Sequence, residues 1–180
     1  AGYRQPEPAI EALIARALGD ARTVLNVGAG AGSYEPTDRA VTAVEPSASM
    51  RAQRPAHLVA AIDAVAEKLP FPDAHFDAAM TTFSVHQWSR LDDGLREMRR
   101  VTRGPVVILS CDPDLVRRFL LNDYAPGVLA AEARRYPALA HMRAVLGGVS
   151  EVLPVPIPLL CRDGFNEAYY DDRLDLERMV

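Results

Sequence analysis

Cysteine is nearly absent. Cys111 and Cys161 are the only two in 180 residues, too few for a disulfide framework, and neither has a cysteine or histidine at zinc-ligand spacing. Aromatic residues make up only 7% and tryptophan occurs once. Positive charge is not in excess: 20 Lys and Arg face 24 Asp and Glu, for a net charge of −4. That balance lacks the basic footprint of a general nucleic-acid or anionic-membrane binder. No apolar run approaches the roughly 20 residues of a spanning helix. The opening Ala-Gly-Tyr-Arg-Gln-Pro has no charged-then-apolar plan of an export signal. The expectation is one cytoplasmic domain over residues 1–180 with no membrane insertion; no pattern in the chain specifies an oligomeric state. A chain of this length can hide about 70% of its unfolded surface, so it builds a core without cross-links or metals.

What is present is a regular alternation. Ile10, Leu13, Ile14, Ala17 and Leu18 recur at helical spacing between Pro8 and Gly19, predicting an amphipathic helix. The Thr-Val-Leu-Asn-Val run at 23–27 reads as a buried strand, and the Ala-Val-Thr-Ala-Val run at 40–44 as a second. Ser47 can cap a short helix reaching Arg54, and Pro55 stops it. Residues 58–62 predict a weak third strand, 76–80 a fourth and 106–110 a fifth, with a helix over 91–101 between the last two. Asp92 and Asp93 at that helix's start and Arg99, Arg100 and Arg103 near its end complement the backbone dipole. Strands alternating with helices imply an α/β fold: a Rossmann-like, three-layer arrangement around a mostly parallel sheet.

Two further segments depart from the alternation. Residues 115–121, 128–136 and 138–146 read as helices separated by Pro126 and Pro137, a helical cap inserted over 115–146 after strand five. Prolines 154, 156 and 158 fall on alternate positions of the 152–159 run. In a strand, alternate N–H groups point to the same neighbour, so the three missing donors lie on one side and the segment is expected at a sheet edge.

The strand at 23–27 runs straight into Gly28-Ala29-Gly30-Ala31-Gly32. Such a loop lets a ligand come close to backbone with no Cβ in the way. A dinucleotide site wants G-x-G-x-x-G and a helix N-terminus for the pyrophosphate. Here Ser33 stands where the third glycine would fall, and the following Ser-Tyr-Glu-Pro-Thr-Asp-Arg contains a carboxylate and a proline, a poor phosphate cradle. A nucleoside without phosphates fits better, and it needs one acid for the ribose diol. Glu45, at the carboxyl end of the second strand, is that acid, since a carboxylate can accept from both hydroxyls.

In this order the motifs at 24–32, 41–47 with Met50, 66–73, 76–77, 86–88 and 97–101 resemble the class I S-adenosylmethionine-dependent methyltransferases. The subgroup most alike is that of the ubiquinone/menaquinone-type C-methyltransferases. The resemblance covers roughly residues 24–112. It implies S-adenosylmethionine as cofactor, with Gly28, Ala29 and Gly30 under its methionine part and Glu45 on the ribose. Pro46, Ser47 and Met50 would flank the adenine, Val65 and Ala66 line its edge, and Thr81 and Phe83 the methionine side. It also implies a seven-stranded sheet in which an edge strand precedes a final antiparallel one.

Four features depart from that family. Asn26 replaces an aspartate near the cofactor's ammonium group, and Val65 an aspartate for the adenine amine. Residues 33–39 are too few for the usual crossover helix, which needs about ten or more residues. The tail from Asp163 shows no buried final strand, because Asp171-Asp-Arg-Leu-Asp-Leu-Glu-Arg178 is too charged to lie between two others.

Methyl transfer from a sulfonium asks chiefly for alignment and exclusion of water; some acceptors also need a base. His86 is placed facing the site, and so are Tyr3 and Arg4, where relatives have a lid. Trp88 is expected to pack its loop onto the sheet, and His57, His75 and His141 to be packing or surface residues. The helical cap would wall a pocket for a small, partly apolar acceptor. Two other readings stay open: a nicotinamide-dependent oxidoreductase on a similar sheet, which the glycine spacing opposes, and a non-catalytic binding protein of the same fold.

Overall fold

The computed structural model describes residues 5–118, 120–148, 150–157 and 163. Tyr3 and Arg4, Cys161 and the tail beyond Asp163 lie outside the described residues, so the expectations placed on them find no structural counterpart here.

Helix α1 runs Pro8–Leu18. Proline sits at its first positions, where a missing N–H costs nothing, and Gly19 at φ 56 ends it. Strand β1 (Thr23–Val27) follows, then β2 (Ala40–Val44), the short helix α2 (Ala48–Arg51), β3 (Ala78–Thr82), α3 (Leu91–Val101) and β4 (Val106–Leu109). After β4 come α4 (Pro113–Val116), α5 (Pro126–Ala133) and α6 (Leu139–Leu146). The four strands are parallel in the order β2-β1-β3-β4. The chain thus leaves β1 toward one edge and builds the other edge from β3, which makes the β1/β3 boundary the switch point where such sheets open a crevice.

Period-2 alternation divides β1 between two layers. Val24, with Ala78 and Met80 of β3, packs under Ile10, Ile14 and Leu18 of α1. Leu25 and Val27, with Ala79, pack under Met98 and Val101 of α3. Asn26 falls on the α1 side with Val24. No helix forms in residues 28–39, as the short crossover predicts. Tyr34 fills the space below α1 instead: it is buried in the α1 cluster, and its hydroxyl accepts from Glu7 N–H at 3.3 Å and donates to Asp163 Oδ2 at 2.5 Å.

Several boundaries differ from expectation. Residues 58–62 form no strand. A lone bridge joins Val44 to Ile62, whose N–H donates to Ala43 O and whose carbonyl accepts from Glu45 N–H. Val59 and Ile62 are exposed, so no layer covers this edge to reward a longer ladder. The predicted strand at 76–80 lies two residues later, because Phe76 bridges to Thr102 and Asp77 is engaged with the start of β1. Helix α2 ends at Arg51 rather than Arg54, with Ser47 Oγ capping it as expected by accepting from Met50 N–H at 3.3 Å. The helix expected over 115–121 is a single turn, Pro113–Val116, begun by Asp112 accepting from Asp114 N–H.

The edge strand expected over 152–159 is not a strand in its described part, 152–157. Pro154 and Pro156 remove alternate donors, and the segment satisfies its apolar side chains another way: Val155 packs with the α1 cluster, and Val152, Leu153 and Ile157 line a cavity beside β4. The sheet has four strands among the described residues, not the seven the resemblance implies. No helix among the described residues is long and apolar enough to cross a membrane.

Asp77 fastens the amino ends of the sheet. Its Oδ2 accepts from Arg22 N–H, Thr23 N–H and Thr23 Oγ1 at 2.9–3.0 Å, and its Oδ1 pairs with Arg103. The Arg103 guanidinium first, and then the Thr23 donors, hold this carboxyl well below the usual carboxylate range. A depressed folded-state pKa stabilises the fold above the unfolded value of about 3.9 and is lost as pH falls through and below it. Asp77→Asn is expected to lower the denaturation midpoint at pH 7 and to shrink the loss of stability between pH 5 and pH 2; an unchanged acid limb in urea titrations would show that the bracket contributes nothing.

Candidate functional site

The carboxyl ends of β1, β2 and β3 meet around the glycine loop. Ala29 N–H donates to Val44 O at 2.9 Å, tying the loop to the end of β2. Glu45, buried just beyond β2, accepts from Gly30 N–H through Oε2 at 2.9 Å and from Ser47 N–H through Oε1 at 2.8 Å. One lone-pair direction on each oxygen remains, so this carboxylate can shape the loop and still accept from a ligand diol. Arg51 supports the same corner from outside, donating to Glu45 O at 2.7 Å and Pro46 O at 2.9 Å while pairing with Asp63.

The protein's own side chains use the room left by the missing Cβ atoms. A Cβ at Gly28 would meet Ser84 Oγ at 1.9 Å, one at Gly32 would meet Leu58 Cδ1 at 2.2 Å, and one at Gly30 only the mobile end of Met50 at 3.2 Å. Packing therefore accounts for Gly28 and Gly32, and the number of glycines is no measure of a ligand. Gly30 has the most room of the three, its nearest neighbour being a terminal methyl at 3.2 Å.

Asn26 donates its amide to Glu35 Oε2 at 2.9 Å, which leaves its Oδ1 as an acceptor. Glu35 in turn receives two hydrogen bonds from Arg54 Nη2, at 2.7 and 2.9 Å, with the two side chains only 1% and 4% exposed. Arg54 also donates to Gly30 O at 3.3 Å and Val59 O at 3.0 Å. Gly32 keeps space for that guanidinium, which would lie 3.4 Å from a Cβ there. Sequence reasoning missed both members of this pair. The available signal was the carboxylate in a crossover too short for a helix, read there only as an argument against phosphate.

Five buried side-chain atoms have no hydrogen-bond partner among the described residues: Asn26 Oδ1, Thr81 Oγ1, His86 Nδ1, Thr102 Oγ1 and Ser110 Oγ. Four of them lie at the carboxyl end of the sheet, on β1, on β3, on the loop after β3 and directly after β4. Buried polar atoms are rarely left unpaired, so a concentration of them at one end marks where a polar ligand belongs.

The other anticipated residues scatter around this centre. Met50 and Pro46 are exposed beside Gly30 and Glu45, whereas Val65 is exposed and Ala66 buried in the α3 layer, so its side chain faces the core. Phe83 packs with the α1 cluster at φ 50, a left-handed backbone that a phenylalanine adopts only under constraint. Trp88 packs its loop as expected, donating from Nε1 to Ser84 Oγ at 3.0 Å and covering Gly94 of α3. His75 packs against Phe71 and Phe76, and His141 bonds Asp92 at 2.7 Å.

His86 sits in a 3-10 turn, Val85–Gln87, with its ring 4.9 Å from that of Tyr136. Burial first, and the Arg135 cation second, lower its pKa, with Glu132 opposing; the imidazole is neutral near pH 7. Tyr136 donates to Glu132 at 3.0 Å, and burial, followed by Cys111, pushes its phenol up. A cavity of about 530 Å³ opens between β4, α4, α6 and the proline-rich segment, with Ile108, Leu115, Val116, Met142 and Val152 on its walls.

The family described as methyltransferase domain matches residues 25–109. The ubiquinone/menaquinone biosynthesis C-methyltransferase UbiE of Azotobacter vinelandii is 47% identical over 51 residues, which are 27% of this chain and 20% of that protein. Its counterpart in Burkholderia cenocepacia is 46% identical over 47 residues, 25% of this chain and 19% of that one. The chain thus aligns with only about a fifth of the length of these curated relatives. A crystal structure described as a methyltransferase from an antibiotic biosynthesis pathway of Anabaena variabilis superimposes with a TM-score of 0.72 at 31% identity, covering 81% of this chain and 62% of that one. A methyltransferase structure from Thermotoga maritima, at 20% identity and a TM-score of 0.60 over 77% of this chain and 68% of that one, shares the fold.

The glycine contacts give a direct test. Gly32 and Gly19 both hold positive φ, 98 and 56, but a Cβ at Gly19 meets nothing within 4 Å. Gly32→Ala is therefore expected to destabilise by about 1–3 kcal/mol more than Gly19→Ala, because overpacking adds to backbone strain. Equal midpoints in denaturant would show that Leu58 and Arg54 yield freely.

Proposed function

We propose that this chain, which belongs to the class I S-adenosylmethionine-dependent methyltransferases, binds that cofactor at the carboxyl ends of β1 and β2 and directs its methyl group to a small, partly apolar acceptor. The observation that carries the reading is the group of partnerless buried atoms, Asn26 Oδ1, Thr81 Oγ1, His86 Nδ1 and Ser110 Oγ, on neighbouring elements at that end. An acceptor oxygen on Asn26 and a rotatable hydroxyl on Thr81 suit the ammonium and sulfonium of the cofactor's methionine part. Glu45 retains lone pairs for the ribose hydroxyls, and Met50 can swing from Gly30 to admit the sugar. Pro46 and Met50 then flank the base, with Val65 and the backbone at Ala66 on its edge and Gly28, Ala29 and Phe83 on the methionine side.

When bound, the cofactor supplies a methyl group already attached to a good leaving group. The chain's residues have to align an acceptor, exclude water and take up a proton if the acceptor loses one. His86 is suited to the last task, because its neutral ring carries a nitrogen, Nδ1, that has no partner among the described residues. The helices over 115–146 act as a cap within one domain of residues 1–180, and the apolar cavity under them suits the body of the acceptor. Tyr3 and Arg4, expected by resemblance to face the acceptor, lie outside the described residues. A small-molecule acceptor and a cytoplasmic setting accord with the net charge of −4 and the lack of a basic excess.

Calorimetric titration with S-adenosylhomocysteine and with NADH tests the cofactor class: heat from the first is expected, and heat from NADH alone overturns the reading. Labelled methyl transfer into a metabolite extract tests activity, since binding without labelled product identifies a non-catalytic relative. Glu45→Gln is expected to weaken S-adenosylhomocysteine by about tenfold or more, a lost charge-assisted acceptor being worth roughly 1.5–3 kcal/mol. Once an acceptor that loses a proton is in hand, the rate should rise with pH through a midpoint below about 6.5, the free histidine value, and level off above it. His86→Gln should abolish that rise.

A further inference from the structure

Glu35 and Arg54 form an ion pair beneath the glycine loop. Its two side chains are almost wholly buried, and it lies directly behind the residues assigned to the cofactor. Glu35 receives the amide of Asn26, whose Oδ1 is one of the partnerless atoms. Arg54 holds Gly30 O, while Glu45 holds Gly30 N–H. Both polar groups of Gly30, the loop glycine with the most room beside it, are thus fixed by charged side chains, and the carboxylate behind Asn26 sets which way its amide points. Turning the amide over would place Oδ1 against the Glu35 carboxylate, acceptor against acceptor, so the charge on Glu35 keeps Oδ1 free for a cationic ligand.

We infer that Glu35 and Arg54 are positioning residues that hold Asn26 and Gly30 for the cofactor, and that their charges cancel so that the sulfonium form is not penalised against its neutral thioether product. The inference rests on the proposed cofactor. S-adenosylmethionine carries one positive charge more than S-adenosylhomocysteine, and the two ligands are otherwise nearly alike in shape. As a pair, Glu35 and Arg54 are neutral together. Removing the carboxylate leaves the Arg54 cation behind the loop, which penalises the charged ligand and spares the neutral one. Removing the guanidinium leaves an anion, which favours the charged ligand. A purely structural role has no such sign: it weakens both ligands together.

The experiment is calorimetric titration of the unaltered chain and of Glu35→Gln, Arg54→Gln and the double Glu35→Gln/Arg54→Gln variant with both ligands at pH 8.5. The readout is the ratio of the two dissociation constants, not either constant alone. Relative to the unaltered protein, E35Q should shift the ratio about tenfold against S-adenosylmethionine, R54Q should shift it in its favour, and the double variant should bring it back. Either single variant gives the sign if the other does not fold. A ratio that stays constant, or moves the same way in both single variants, overturns the inference and leaves the cofactor assignment standing. Failure of the unaltered chain to bind either ligand overturns the cofactor assignment itself, and the inference with it.

Discussion

A carboxylate sealed from water needs a cation beside it, and beneath the glycine loop Glu35 has one in Arg54 at 2.7 Å. Much of the local design depends on that requirement. The arginine comes from just beyond α2, so the segment after β2 must fold back across the loop to bring it in. Gly32 must stay small to leave room for it, and Leu58 closes over the same spot. Asn26 near the carboxyl end of β1 then finds a charged partner without being charged itself. Two carboxylates here would face one another with a single guanidinium between them. An amide on the strand and an acid on the loop avoid that repulsion.

The same economy governs the crossover between β1 and β2. Its residues are too few to lay a helix across the sheet, so the layer is completed by Tyr34, held at φ 61. Its ring fills the space under α1, and its hydroxyl joins Glu7 to Asp163. A bulky residue in a left-handed backbone is unfavourable by itself and persists only where its surroundings over-determine it. Burial in the α1 cluster and two hydrogen bonds provide that constraint, and the neighbouring Glu35 is delivered to Arg54 as a result. The shortened crossover and the buried ion pair are therefore parts of one arrangement.

The sequence reading was strongest where a pattern repeats along one element. The bounds of α1, β1, β2 and α3 follow from apolar periodicity and from Pro8, Gly19 and Gly104, because burial on one face is a local property of the chain. It was weaker where partners decide. Residues 58–62 look like a strand, yet only Ile62 finds one. The prolines at 154 and 156 argued for an edge strand, yet the segment turns its apolar side chains to a cavity and forgoes the ladder. Glu45 was legible as the acid after β2; that it already grips Gly30 and Ser47 was not.

From the order of its residues alone, this chain specifies alternating parallel strands and helices, a glycine loop after the first strand, an acid after the second and the likeness to a methyltransferase. Each of these depends on spacing within a few dozen residues. Tertiary structure alone decided that Glu35 meets Arg54, that the Asn26 amide donates to Glu35, that the glycines are lined by Ser84, Leu58 and Met50, and that four polar atoms at one end of the sheet have no partner among the described residues. Those contacts join elements distant in the chain, and no local periodicity encodes which polar atoms will be satisfied once the layers close.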